Sequence, residues 1–137
     1  MSTILVDNLT GKTSAGSITV TSEGGAATMQ LQQGLAKAWI NFNGTGTVAI
    51  RDNLNLSSLT DNGLGDYTLG FVSSMGNANY SYAGSSGGQS STSNGSVWNY
   101  DNATARTTSL FRVILITTAG GAVDAPQIGV HVHGDLA

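Results

Sequence analysis

The sequence predicts an all-β protein in which an antiparallel β-sandwich-like head follows a short N-terminal segment. Apolar and polar residues alternate with a period of two through much of the chain, as they do in strands with one buried face. Clusters of Gly and Asn, which favour turns, separate these stretches. Ser, Thr, Asn and Gly make up 62 of the 137 residues, whereas charged residues make up 9%. This composition is typical of an exposed β-rich protein rather than of a cytosolic enzyme.

Two hairpins are predicted in the middle of the chain. The first joins residues 36–42 to residues 47–51 through an Asn-Gly turn signal. The second runs from residues 54–59 to residues 67–71, and its predicted loop, residues 61–66, contains Gly and Asn residues that tolerate positive φ angles. In both hairpins apolar residues share one face, which indicates strands with one buried side.

Three later stretches alternate in the same way. Residues 80–82 are predicted as a short strand, residues 109–117 as the longest strand, and residues 127–133 as the closing strand. Strand 109–117 carries apolar residues on both faces, so we expect a central strand or one that packs against a neighbouring subunit. Trp39 lies opposite the buried face of its own strand. We expect Trp39 to pack against another subunit, and the alternative is an exposed position.

Residues 1–35 are predicted as a separate N-terminal segment that contributes to subunit packing, and residues 36–137 as the head. Within the segment, residues 4–6 and 17–20 could pair as short strands. Residues 28–33 are the only stretch with some helical character, and a helix of this length is marginal alone.

Residues 84–108 interrupt the alternation with a run of Gly and Ser that leads into aromatic and amide residues. Long loops frequently carry function, so we expect the variable binding loop of the head here. Aromatic rings stack on the apolar faces of pyranoses, while amides and carboxylates bind hydroxyl groups. The candidate ligand-binding residues are Tyr80, Tyr82, Trp98, Asn99, Tyr100 and Asp101. The alternative is that Trp98 and Tyr100 anchor the loop to the sandwich.

Charge and motif content exclude several classes of function. Five Lys and Arg residues, none adjacent to another, cannot neutralise a run of phosphates, so we expect no nucleic-acid partner. No apolar stretch approaches the roughly 18 residues that span a bilayer, so we expect no membrane insertion. The chain has no Cys, a single Glu (Glu23) and no recognisable catalytic motif. We therefore expect no enzymatic activity, no catalytic residues and no cofactor.

Two histidines, His131 and His133, lie on one face of the closing strand. In a single chain such a pair is usually solvated, so we predict no metal site. In a three-fold assembly the same pair would supply six ligands near the axis, which is suited to an octahedral metal ion. That arrangement is the alternative.

The stretch from Ile4 to Tyr67 resembles the C-terminal region of bacteriophage tail fibres, including many from phages of marine bacteria. The matching text is ILVDNLTGKTSAGSITVTSEGG followed by LQQGLAKAWINFNGTGTVAIRDNLNLSSLTDNGLGDYT, of which AKAWINFNG and SSLTDNG are the most specific parts. The second half of the chain matches in layout only. This resemblance implies a homotrimeric, β-rich fibre tip that recognises the host surface, and it transfers no binding residues by position.

These observations lead to one expected function. We expect a non-catalytic phage tail fibre tip that adheres to the host bacterium through surface polysaccharide, with three weak sites that gain avidity together. The absence of a signal sequence and of cysteines is what we expect of a virion protein made in the host cytoplasm. The alternatives are a structural fibre or baseplate component and, less favoured by the shortage of carboxylates, a polysaccharide hydrolase domain.

Overall fold

The structure, a computed structural model, describes residues 3–15, 17–88, 95–99, 106–117 and 119–137, the range 95–99 through its backbone. The chain divides into two compact units, Met1–Leu35 and Ala36–Ala137.

The N-terminal unit contains a two-stranded hairpin and one helical turn. Strand β1 (Thr19–Thr21) pairs antiparallel with β2 (Thr28–Gln30), and α1 (Leu31–Gly34) follows directly. The expected pairing of residues 4–6 with 17–20 is not observed, and residues 4–6 form no strand. Closing the short loop between β1 and β2 costs less chain entropy than pairing with residues 4–6, and Gly25 (φ 73°) provides its turn. Of the predicted helical stretch 28–33, residues 28–30 are therefore strand, and residues 31–33 belong to the single turn of helix.

The described residues of this unit include none that is buried. Seven of its large apolar side chains are between 44% and 88% exposed: Ile4, Leu5, Val6, Leu9, Val20, Met29 and Leu35. An isolated two-stranded hairpin is marginally stable in water because it buries too little apolar surface. The unit therefore has no core of its own.

The second unit contains eight described strands. They are β3 (Ala38–Asn43), β4 (Ala49–Leu54), β5 (Leu56–Gly63), β6 (Asp66–Phe71), β7 (Ser81–Gly87), β8 (Gly95–Asn99), β9 (Leu110–Thr117) and β10 (Gln127–His133). Strands β4-β3-β10-β7 form the first sheet, strands β5-β6-β9-β8 form the second, and every pairing is antiparallel. The predicted all-β fold with antiparallel sheets is confirmed.

The core lies between the two sheets and follows from the alternation in the sequence. Strands β3 and β10 of the first sheet, and β6 and β9 of the second, each turn every other side chain inward. The rings of Phe42 and Tyr67 meet across the sheets, edge to face, with 5.0 Å between their centroids. A second aromatic group joins the sheets further along: Phe71, Tyr80, Tyr82 and Phe111.

Strand β5 extends into the predicted loop 61–66, which differs from the sequence-based expectation. It ends at Gly63, and only Leu64 and Gly65 separate it from β6. Gly63 (φ 128°) and Gly65 (φ 67°) adopt angles that other residues rarely reach, and a register shift between Asp61 and Gly63 accommodates the extra residue. The predicted glycine turn is present but shorter.

Strands also occupy part of the predicted variable loop 84–108. Strand β7 continues to Gly87 and pairs with β10, and β8 covers 95–99 and pairs with β9. Gly and Ser have low strand propensity, but hydrogen bonds to a central strand override that preference at the sheet edge. Residues 89–94 and 100–105 of this predicted loop lie outside the described residues.

Asp124 fixes the connection that leads into β10. Its carboxylate Oδ1 accepts hydrogen bonds from the amide of Gly65 and from the hydroxyl of Tyr67, both at 2.7 Å. The same hydroxyl lies 3.0 Å from the carbonyl oxygen of Gly44, and the Gly44 amide donates to the carbonyl of Ala125 at 2.9 Å. These bonds hold three turns together at one end of the sandwich, directly before β10 begins.

Candidate functional site

A polar depression of about 220 Å³ lies on the outer face of the first sheet. Strands β3, β7 and β10 form it, since the outward-facing residues of these three strands stand side by side there. The residues that line this polar depression are Asn41, Ser85, Ser86, Gly87, Gln127 and Gly129. None of them carries a titratable side chain, so hydroxyl, amide and backbone groups supply its polarity.

Gly129 leaves the middle of the depression open. In the register of the sheet it stands between Asn41 of β3 and Ser85 of β7. A Cβ atom at Gly129 would lie 3.6 Å from the Ser85 hydroxyl oxygen and 4.0 Å from the carbonyl oxygen of Ile40, which are ordinary contacts. The backbone there does not require glycine, so the effect of this glycine is the space that it leaves above the sheet.

Arg51 orients the Asn41 amide. It lies in β4 at the register shift opposite Asn41 and Phe42, and its guanidinium reaches back across β3. Nη1 donates to Asn41 Oδ1 at 3.3 Å and to the carbonyl of Phe42 at 3.1 Å, and Nη2 donates to the carbonyl of Pro126 at 2.5 Å. Because Asn41 Oδ1 accepts from Arg51, the Asn41 Nδ2 group is the part of the side chain that can donate to a bound molecule.

Two further groups of the depression keep hydrogen-bonding capacity. Within the described part of the chain, no hydrogen bond engages the amide of Gln127 or the hydroxyl of Ser85. Both residues are exposed. Together with Asn41 Nδ2, they offer a bound molecule donors and acceptors from three strands.

An indole ring lies on the same sheet face as the depression. Trp39 lies two residues before Asn41 on the same face of β3, a spacing of about 7 Å along an extended strand. It is half-buried, and its cross-strand neighbours are Leu54 and His131. His131 and His133 are neighbours on one face of β10, with 5.8 Å between their ring centroids. In the described residues, no three His, Cys, Asp or Glu side chains come together as a metal site would need.

The structure places two predicted site residues, Tyr80 and Tyr82, against the core. Tyr80 is 2% exposed, and its hydroxyl lies within 3.1 Å of the carbonyl oxygens of Thr107 and Leu110. Burial raises the pKa of Tyr80. The ring of Tyr82 is half-buried and packs 5.3 Å from that of Phe111. Tyr80 therefore contributes its ring to the core and leaves no ring face for a ligand.

Of the other four predicted site residues, the structure describes the backbone of two and does not describe the remaining two. Trp98 and Asn99 belong to β8, where the register pairs them with Ile114 and Val113. Tyr100 and Asp101 lie outside the described residues.

Sequence reasoning did not identify the depression, although two signals for it were present. Asn41 stands on the polar face of a strongly alternating strand, next to Trp39. Gly129 interrupts an apolar strand, and an isolated glycine in a strand often marks a close approach by another group. No signal linked these positions to Ser85, because only the register of β10 brings the three together.

Comparison of the chain with protein-family models, with curated proteins and with solved structures gives no match. Among the described residues, no helix has the length and apolar character needed to cross a membrane.

Proposed function

We propose that this chain is a bacteriophage tail fibre tip that binds the polysaccharide surface of its host without chemical modification of the ligand. The observation that carries the proposal is the polar depression beside Trp39 on an exposed sheet face. The resemblance of residues 4–67 to tail fibre tips supplies the biological setting, a protein carried on the virion.

The chemistry of the face suits a sugar. A pyranose ring presents hydroxyl groups that donate and accept hydrogen bonds, together with apolar C–H faces. Amides and hydroxyls such as those of Asn41, Gln127 and Ser85 match the former, and an indole such as that of Trp39 matches the latter. A concave site with a few convergent polar groups is the usual form of a small-molecule site.

A homotrimer belongs to the same proposal. The N-terminal unit exposes seven large apolar side chains and buries none of its described residues, so it requires a partner to remove that surface from water. Most soluble oligomers are formed by copies of one chain, and the resemblance to tail fibre tips is the reason to propose three copies. Three linked sites raise the apparent affinity by about 10²–10⁴ over a single site through effective concentration.

Two measurements test the proposal. Light scattering after size exclusion is expected to give three times the chain mass of 13.9 kDa. The fluorescently labelled full chain is expected to bind cells of the phage's host saturably, and to lose that binding on isogenic cells that lack surface polysaccharide. Absence of saturable binding would favour the alternative, a structural component of the fibre or baseplate. Release of reducing sugar from the polysaccharide would indicate a hydrolase.

A further inference from the structure

We propose that the polar depression is a subsite for one neutral pyranose unit of a linear glycan, and that Trp39 stacks on the neighbouring unit. This inference rests on the proposed function and deepens it, since it names the class of glycan and the atoms that bind it. Three features of the described residues lead to it: the size of the depression, its lack of charged lining residues, and the presence of Trp39 on the same face of β3.

The size fits a single ring. The depression measures about 220 Å³, below the range of about 300–1,000 Å³ that is usual for drug-sized ligands. Its floor is the strand backbone at Gly129, and its borders are side chains on three strands. The Asn41 Nδ2, Gln127 amide and Ser85 hydroxyl groups can therefore reach one ring from different sides.

The charge distribution favours a neutral sugar over an acidic one. No charged side chain lines the depression. The cation beside it, Arg51, directs its guanidinium to Asn41 Oδ1 and to two backbone carbonyls. Asp52, which pairs with Asn41 in the register, is exposed, and its carboxylate would repel a second carboxylate. The opposite charges of Arg51 and Asp52 offset each other there, so the carboxylate of a uronic or sialic acid would lose hydration without gaining an ion-pair partner in the lining.

The position of Trp39 implies a chain rather than a single sugar. It lies two residues from Asn41 on the same face of β3, about 7 Å along the strand axis. A glycan that lies along β3 and β10 would place one ring over Gly129 and the next beside the indole. Longer oligosaccharides should then bind more tightly than their monomers, and the gain should depend on Trp39.

The test uses the ¹⁵N-labelled full chain and NMR titration. The probes are the methyl glycosides of glucose, galactose and mannose, linear tetrasaccharides of the same sugars, and methyl glucuronide. We expect at least one neutral glycoside to shift the side-chain amide signals of Asn41 and Gln127. Its tetrasaccharide should bind at least threefold more tightly and also shift the Trp39 indole signal. Methyl glucuronide should bind at least tenfold more weakly than methyl glucoside.

Substitutions at Gly129 test whether binding is lost because a side chain fills the depression or because the fold is disrupted. Gly129→Val should weaken binding at least tenfold, because its side chain occupies the place of the sugar. Gly129→Ala should have a smaller effect in the same direction, and it keeps the test valid if the valine variant does not fold. Gly121→Ala is the matched control, since its Cβ would meet only the Thr117 hydroxyl oxygen, at 3.7 Å, outside the depression. Trp39→Ala should abolish the gain in affinity from monomer to tetrasaccharide.

The outcomes distinguish this inference from the proposed function. The subsite would be overturned by any of three results. They are no signal shift with any neutral glycoside, equal affinity for methyl glucuronide and methyl glucoside, or unchanged affinity in both Gly129 variants. If the chain nevertheless binds host cells, adhesion stands and another surface performs it. If the glycosides bind as expected but the cells are not bound, the subsite stands and the adhesive function is wrong.

Discussion

Asn55 lies where the chain crosses from the first sheet to the second, between β4 and β5. It is the one described residue other than glycine with a positive φ angle, 58°. Its side-chain Nδ2 donates to the carbonyls of Lys37 and Ser73, both at 3.1 Å, and its Oδ1 accepts from the Ser73 amide at 2.7 Å. We predict that Asn55→Ala destabilises the protein, because one substitution removes both the tolerated backbone angle and these three bonds.

The magnitude follows from the two contributions. The left-handed conformation costs an ordinary residue such as alanine about 1 kcal/mol more than asparagine. Each lost hydrogen bond costs roughly 0.5–1 kcal/mol, since Asn55 is half-buried and water replaces part of what is lost. The sum is about 3 kcal/mol for Asn55→Ala. Asn55→Gly loses the bonds but tolerates the angle, so it should cost about 2 kcal/mol.

Urea denaturation at one fixed protein concentration measures both losses, because association would otherwise shift the apparent stability. The control is Asn77→Ala. In an exposed loop, the Asn77 side chain accepts one local bond from the Asn79 amide at 2.7 Å, so this change should cost less than about 1 kcal/mol. Equal losses for Asn55→Ala and Asn55→Gly would refute the backbone part of the reasoning. A loss below about 1 kcal/mol for Asn55→Gly would refute the hydrogen-bond part.

Three further predictions concern pH and packing. Burial raises the pKa of Tyr67 and of Tyr80, so both stay protonated in the folded protein at a pH where the unfolded chain loses these protons. The free energy of unfolding should therefore fall above pH 10, by about 1.4 kcal/mol per pH unit for each tyrosine. Urea denaturation at pH 9 and pH 11 should show this fall, and replacing both tyrosines by Phe should remove it. The hydrogen bond from Arg112 lowers the pKa of Asp66, so their ion pair stabilises above pH 3.8 and is lost as the pH falls further. Because Arg112 is 36% exposed, Arg112→Gln should cost under about 1 kcal/mol at pH 7, and less at pH 2. Gly44→Ala should cost about 2–3 kcal/mol in thermal unfolding, since its Cβ would lie 2.8 Å from Ile128 Cδ1 inside the core; a loss below 1 kcal/mol would contradict this.

The strands that carry a regular apolar alternation could be predicted from the sequence. Strand β10 has the expected bounds 127–133, and β9 differs from the expected 109–117 only at its first residue. Strands β7 and β8 could not be bounded in the same way, because Gly- and Ser-rich segments lack a strand preference of their own. They form by pairing with β10 and β9, and that pairing is a property of the whole sheet.

The candidate site was less accessible to sequence reasoning than the fold. Its residues come from segments that are far apart in the chain, such as Asn41 and Gln127. Their proximity depends on the register of β10 between β3 and β7. A one-residue slip of that register would move every side chain to the opposite face, and local patterns do not reveal register between distant strands. The aromatic candidate residues were more conspicuous, but one of them, Tyr80 of the predicted strand 80–82, packs in the core.

The polar depression has a consequence for how this protein can evolve. Residues on the outer face of β3 and β10 alternate along each strand with residues that form the core. The proposed binding residues and the residues that stabilise the fold are therefore different sets. Replacing Ser85 or Gln127 would alter the hydrogen bonds offered to a ligand without changing the volume or packing of the interior. Under the proposed adhesive function, ligand specificity can change through single substitutions on this face, while selection for a stable fold continues to act on the alternate set of residues.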